Sequence, residues 1–316
     1  MSKSLIKTKN GSALITALFI MTLVAIVATA MSSRLQIDIY RTRLTQNSDR
    51  LSLASQAVAF WAIDRLMDAD QALVGLDQSG KILDFPSKLQ TIYPGAVITG
   101  QLYDLQAKFN LNNVTNATYL PVFFGLLKQT LPDLNQQEHK LILDATINWI
   151  IGSTAASTGH DEWFDRYSKQ KPVYFPGYQL MQNISEFRTV FGIHALLYQA
   201  LLPNITVLPE VTPINLNTAP LVLLMSLGDG LKKNDANEII KIRHKKEIKN
   251  MSEFDPLLDR FNIPKTEITL SSTYFLSIAT ATIDGVTLKN YTILKRAKDK
   301  AGKLSVNILN ESFNTP

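Results

Sequence analysis

Cysteine is absent from the 316-residue chain, which excludes disulfides and thiolate metal sites without assigning a compartment. No charge appears between Lys9 and Arg34, and neither glycine nor proline occurs from Ser12 to Val74. The first absence leaves room for a hydrophobic helix of about 20 residues, enough to cross the ~30 Å hydrocarbon core of a bilayer. The second removes the two strongest helix breakers, so the helix can continue well past a membrane face. Running from Ala13 to Ala69 at ~1.5 Å per residue, it would be roughly 85 Å long. Catalytic signatures are missing as well: there is no Gly-x-Ser-x-Gly, no phosphate-binding glycine loop and no dinucleotide fingerprint. His139, His160, His194 and His244 include no i, i+4 pair, so ordinary surface positions are expected for them rather than zinc or catalysis. An anchored enzyme therefore has no supporting constellation, and no internal repeat or low-complexity tract appears.

Hydrophobic residues make up 46% of the chain and charged ones 19%, an ordinary globular composition once the anchor is set aside. The formal charge is +5, and taking away Lys3, Lys7 and Lys9 of the N-terminal leader leaves +2, weak evidence for a nucleic-acid partner. Those lysines favour a cytoplasmic N-terminus, but Arg34, Arg41 and Arg43 flank the other side of the apolar run, so the count of positive charge does not settle orientation. Up to Met31 the run is apolar on every side, as lipid requires. Beyond Arg34 it becomes amphipathic: Leu44, Leu51 and Val58 recur every seven residues, with Ala54 and Trp61 beside them. That stripe suits packing on a sheet or a partner helix.

Farther along, Gly75 to Pro94 reads as a loop, and Ala96 to Asn112 as a strand pair or a bent strand. From Val114 to about Pro264 the signals are mostly helical. Leu120 to Leu131 and Gln137 to Ile151 are helix candidates, Ser185 a candidate N-cap. Asn217 or Thr218 would cap a helix through Leu227, and Asn234 or Asp235 another through Lys245. Ser272 to Ser312 returns to strand character, divided at Asp284-Gly285 and at Asp299 to Gly302, both good turn signals. A sheet split by a helical insertion explains this order.

A cleaved secretory signal competes for the N-terminus, with A-x-A-like sites near Ala28 and Ala30. The apolar run is long for such a signal, and the helical pattern continues through the supposed cut. Gly11 sits just before the run instead, and the leader followed by Gly11 and Ser12-Ala-Leu-Ile resembles a type IV prepilin or pseudopilin N-terminus. Cleavage after Gly11 by a prepilin peptidase, as that resemblance implies, makes Ser12 the first mature residue and Thr16 the fifth. Most pilins carry Glu there, and the pseudopilin called protein K of type II secretion systems lacks it. Further stretches are similar to the same family: QAKFNLNNV (106–114), ILDATINWI (142–150), KPVYFPGYQLMQNISEFRTVFGI (171–193) and LLPNITVLPEVTPINLNTAPLVLLMSL (201–227).

The resemblance implies an α+β fold: a long N-terminal transmembrane and amphipathic helix packed on an antiparallel pilin-type sheet, with a large all-helical domain inserted between strands. The expected division is a leader at 1–11, a spine helix at 12–72 with its membrane part at about 13–33, a core at 73–113 plus 271–316, and the insert at 114–270. It further implies a non-enzymatic, single-pass inner-membrane protein with a cytoplasmic N-terminus and a periplasmic head. Such a protein would work beside the I- and J-type minor pseudopilins at the tip of a pseudopilus, helping to initiate or cap its assembly during export. In that family of filaments an incoming subunit's fifth-position Glu is thought to pair with a neighbour's N-terminal amine, a charge that Thr16 does not supply.

Asp161, Glu162 and Asp165 form an oxygen-rich loop of a kind that holds calcium, and family members bind calcium near this position. The chain departs from the family just upstream, where Trp149 is followed by Ile150, Ile151 and Gly152 rather than by acids; a solvated acidic loop is the competing reading. Ile214 to Lys246 also resembles the helix-hairpin-helix of DNA-uptake proteins, in which Gly228 and Gly230 would offer N–H groups to phosphate and Lys232 and Lys233 would add charge. Seven Lys or Arg against three acids lie between Lys232 and Lys249. The hairpin is longer than usual and lacks its proline, so a structural helix pair competes and nucleic acid is the alternative partner only. Asn112-Asn113 and Asn215-Leu-Asn217 are expected to satisfy backbone groups rather than to do chemistry.

Overall fold

A computed structural model describes residues 10–152, 162–228 and 230–315. The chain divides into two units, residues 1–53 and 54–316, and helix α1 (Asn10–Met67) runs through the boundary. In the first unit the apolar side chains are exposed all round the helix, as Leu14, Leu18, Phe19 and Val24 show, over a length and composition sufficient to cross a membrane. The hydroxyls of Thr16, Thr29, Thr42 and Thr45 donate to carbonyls one turn back, which satisfies them inside the helix. Leu44, expected in the buried stripe, is exposed, because no other described element of this unit covers it; burial begins at Leu51.

In the second unit the helix continues as a buried line of Ala54, Val58, Ala62 and Leu66, spaced by four as a helix face demands. It ends at Met67 rather than near residue 72. The Asp68 carboxylate accepts the Asp70 N–H at 3.0 Å, a local bond that competes with the helix ladder. Strands β1 (Lys81–Asp84) and β2 (Val97–Asp104) follow. Next come β3 (Phe109–Asn110), α2 (Leu120–Thr130), α3 (Gln136–Ile151), α4 (Glu162–Ser168) and α5 (Ala195–Leu201). They are succeeded by β4 (Ile205–Thr206), β5 (Ile214–Asn215), α6 (Leu221–Leu224), α7 (Lys233–Lys245) and α8 (Asp255–Arg260). The chain closes with β6 (Ile268–Thr269), β7 (Tyr274–Ile283), β8 (Val286–Lys298) and β9 (Leu304–Phe313).

Five strands form one antiparallel sheet in the order β1-β2-β7-β8-β9. Strand β7 alternates buried and half-buried residues, the period of two that a strand with one covered face requires. Leu102, Phe275 and Leu294 from three strands meet Ala62 and Leu66 of the helix, and Trp61 packs edge-on against Phe85 at 5.5 Å. The Asp284-Gly285 turn takes positive φ at both residues (49° and 79°), which matches the twist of a tight hairpin.

Between β2 and β7 lies the helical insert, with its own core around Phe109, Phe123, Leu126, Trp149, Tyr167 and Phe187. It is not wholly helical: β3 pairs with β4 and β5 with β6, both in parallel. Phe109 and Asn110, expected to belong to the sheet, pair instead with β4 of the insert. A parallel pair needs a long crossover, and the helices supply it. Asn135 and Glu138 form a capping box on α3. The cap before Phe187 is Asn183, not Ser185, and it too makes a reciprocal box, with Glu186. α6 starts after Pro220 and α7 after Lys232, with no side-chain cap on either, in place of the asparagine, threonine or aspartate caps expected.

Candidate functional sites

Gly11 and Ser12 lie in the first turns of α1. Four residues on, the exposed Thr16 hydroxyl donates to the Ser12 carbonyl at 2.8 Å. Its hydrogen bond is therefore spent within the helix, and no side-chain charge projects at this level.

The acidic loop is only partly within view, because Asp161 lies outside the described residues. The Glu162 carboxylate accepts from Arg166 at 2.5 Å, one turn along α4, and Arg166 also lies over the Trp163 ring at 5.2 Å. Among the described residues, no three His, Asp or Glu side chains converge as a metal site. Glu162 and Arg166 nonetheless line a cleft with Asp144 and Asn148, and the amide of Asn148 is buried there with neither its oxygen nor its nitrogen hydrogen-bonded among the described residues.

At the 228–230 hairpin, Gly228 and Gly230 have φ of +55° and +89°. A Cβ at Gly228 would lie 2.2 Å from the Phe261 carbonyl oxygen, so the turn is pressed onto the segment after α8. The Gly230 N–H donates to the Leu227 carbonyl at 3.0 Å. This hairpin spends its close approach and that N–H on the protein itself. Lys232 and Lys233 are exposed at the start of α7. Arg243, counted among the basic residues of the segment, is buried; its Nη1 donates to the carbonyls of Leu216 (2.9 Å) and Ala219 (2.7 Å). Burial lowers its pKa to about 10, and the side chain serves the fold rather than the surface.

The asparagines satisfy backbone groups, as expected, but those groups lie on distant segments rather than only at turns and helix caps. The Asn112 side chain donates to the Met181 and Leu208 carbonyls and accepts the Met181 N–H. Asn113 makes the same two-way contact with Thr212, and Asn217 with Ile248.

Three further buried titratable groups, besides Arg243, escape a reading of the sequence. His139, expected at the surface, is buried with Nε2 2.9 Å from the Leu131 carbonyl oxygen, because helix α3 turns that face toward α2. Glu267 is buried with Oε2 unpartnered among the described residues, and desolvation pushes its carboxyl up to about 7. Asp104, at the end of β2, is fully buried among four donors; burial pushes its pKa up and the donors oppose that rise. An aspartate closing a strand was the available signal, since Asp is depleted in strands.

Family profiles described as Type II secretion system (T2SS), protein K match residues 107–210 and 214–271, together slightly more than half of the chain. Type II secretion system protein K of Aeromonas hydrophila is 26% identical over 325 residues, covering 93% of this chain and 95% of that protein. Its counterpart in Pectobacterium carotovorum subsp. carotovorum is 28% identical over 244 residues, covering 70% and 71%. Among solved structures, a chain of the GspK-GspI-GspJ complex from enterotoxigenic Escherichia coli superposes with a TM-score of 0.66 at 22% identity, covering 87% of this chain and 100% of that one. That last likeness is one of fold.

Proposed function

The chain belongs to the protein K family of type II secretion systems, and on that premise we propose that it sits at the tip of the pseudopilus and initiates or caps its assembly. It is a minor pseudopilin of type II secretion. Its role in this reading is mechanical rather than catalytic. The apolar part of α1 anchors it once in the inner membrane, N-terminus in the cytoplasm and head in the periplasm, and a prepilin peptidase releases the leader after Gly11. Its partners are the I- and J-type minor pseudopilins, the company that the solved relative keeps.

Thr16 carries this reading. Its hydroxyl is bonded to Ser12 of its own helix, so position five of the processed chain offers no carboxylate to a neighbour's amine. A subunit with nothing above it needs none, and the insert between β2 and β7 adds bulk that opposes further stacking. The test is the mature N-terminal sequence of the protein recovered from membranes. Ser12 is expected; Met1, or a residue near Met31, would overturn the reading.

Calcium in the 161–165 loop is a second reading, favoured by the unpartnered amide of Asn148 beside Asp144 and Glu162. Carboxylate and amide oxygens are the hard ligands that this ion takes. Calorimetric titration of the detergent-solubilised chain with calcium would show saturable binding that Asp165→Asn weakens; absence of heat at millimolar calcium would dismiss the site.

A further inference from the structure

Asp104 is the residue at which the chain leaves the sheet for the insert. Its Oδ1 accepts the Gln106 N–H at 2.8 Å. Its Oδ2 accepts from Ser272 Oγ at 2.7 Å, Asn215 Nδ2 at 2.9 Å and Thr218 Oγ1 at 2.5 Å. Asn215 and Thr218 belong to the insert, 111 and 114 residues away. Ser272 stands just before β7, where the chain comes back. Asn215 Nδ2 also reaches Ser272 Oγ at 2.9 Å, so these donors are linked to one another. Gln106 repeats the arrangement one step on, donating to the Pro213 carbonyl at 2.9 Å and accepting the Thr273 N–H at 2.5 Å.

A carboxylate buried without its donors is among the costliest groups a protein interior can hold. Two of the three donors to Oδ2 exist in place only when the β5 ladder and the turn after it have formed. An amide does not substitute. Asparagine at 104 would have to aim its NH2 either at the Gln106 N–H or at the Asn215 amide, donor against donor. We propose that Asp104 is an interlock that makes closure of the β2–β7 pair conditional on a folded insert. The interlock does not depend on the tip assignment and holds for any role of the chain.

Hydrogen exchange by mass spectrometry on the full chain in detergent micelles tests it. Phe123→Leu loosens the insert core at the Phe109–Phe123 stack while leaving Asp104 and each of its donors unchanged in sequence. With Asp104 present, the amides of β2 and β7 should lose protection along with those of α3, by tenfold or more. In an Asp104→Leu background, which removes the demand for donors, the same Phe123→Leu change should lower protection in α3 alone. Should Asp104→Leu not fold, Asp104→Ala, which likewise carries no group needing donors, serves the same comparison. Sheet amides that ignore Phe123→Leu while Asp104 is present, or that follow it equally when Asp104 is replaced, would overturn the proposal.

Discussion

Gly100 of β2 lies beneath Val58 of α1 so closely that a Cβ on the glycine would fall 2.3 Å from the valine Cγ1. Its cross-strand partner is Ala279, another small residue, so the helix sits on a shallow trough in the sheet. Gly100→Ala should therefore destabilise the head by ~1–3 kcal/mol through overpacking, despite the ~0.5–1 kcal/mol that alanine ordinarily gains over glycine in a strand. Adding Val58→Ala should recover part of that loss. Chemical denaturation of the four members of this cycle measures the coupling; additive effects would mean that the two side chains do not meet.

Thr16→Glu should leave membrane insertion intact, because the remainder of the apolar run is unchanged. Membrane fractionation with carbonate extraction is the readout. A shift of the variant into the soluble fraction would show that Thr16 matters for lipid contact rather than for subunit packing.

Glu267 predicts a pH dependence whose sign follows from its burial. Desolvation raises its folded pKa from the ordinary 4.5 to about 7, so between those values the folded state holds a proton that the unfolded state has released. Its stabilising contribution is complete below the unfolded pKa and is lost as pH rises through about 7. Tyr119, whose hydroxyl donates to the neighbouring Thr266 carbonyl at 3.0 Å, feels the same carboxylate, which adds to the burial that lifts its pKa to about 12. Unfolding free energies measured from pH 5 to 8 should fall by ~1–3 kcal/mol in the native protein and change less in Glu267→Gln. Parallel pH profiles for the two proteins would rule out this assignment.

The hairpin at Gly228 and Gly230 is turned to packing, so gel shifts with duplex DNA should show no steeply salt-dependent affinity at or above physiological ionic strength. Gly228→Ala, which forces a Cβ onto the Phe261 carbonyl at positive φ, should instead lower thermal stability. A complex that tightens sharply as salt is diluted, and that Lys232→Gln with Lys233→Gln weakens, would restore the nucleic-acid reading.

The spine was legible in the sequence because its evidence is local. Absence of charge up to Arg34, and of glycine and proline up to Val74, speaks to each turn of helix by itself. The hairpin of β7 and β8 was legible for a similar reason, since Asp284-Gly285 carries its turn chemistry in two residues. The N-caps were harder. Ser185 and Asn183 are both good caps two positions apart, and the choice went to the one whose box closes on Glu186.

By itself, then, the sequence determined the membrane-length helix and the split between sheet and insert. Periodicity and turn residues act over a few positions and need no distant partner. Only the tertiary structure decided that Asp104, His139, Arg243 and Glu267 are buried, that Leu44 is not, and that Phe109 and Asn110 pair with β4. Each of those outcomes depends on which segment, often a hundred residues away, comes to lie against the side chain, and desolvation is felt only once it has.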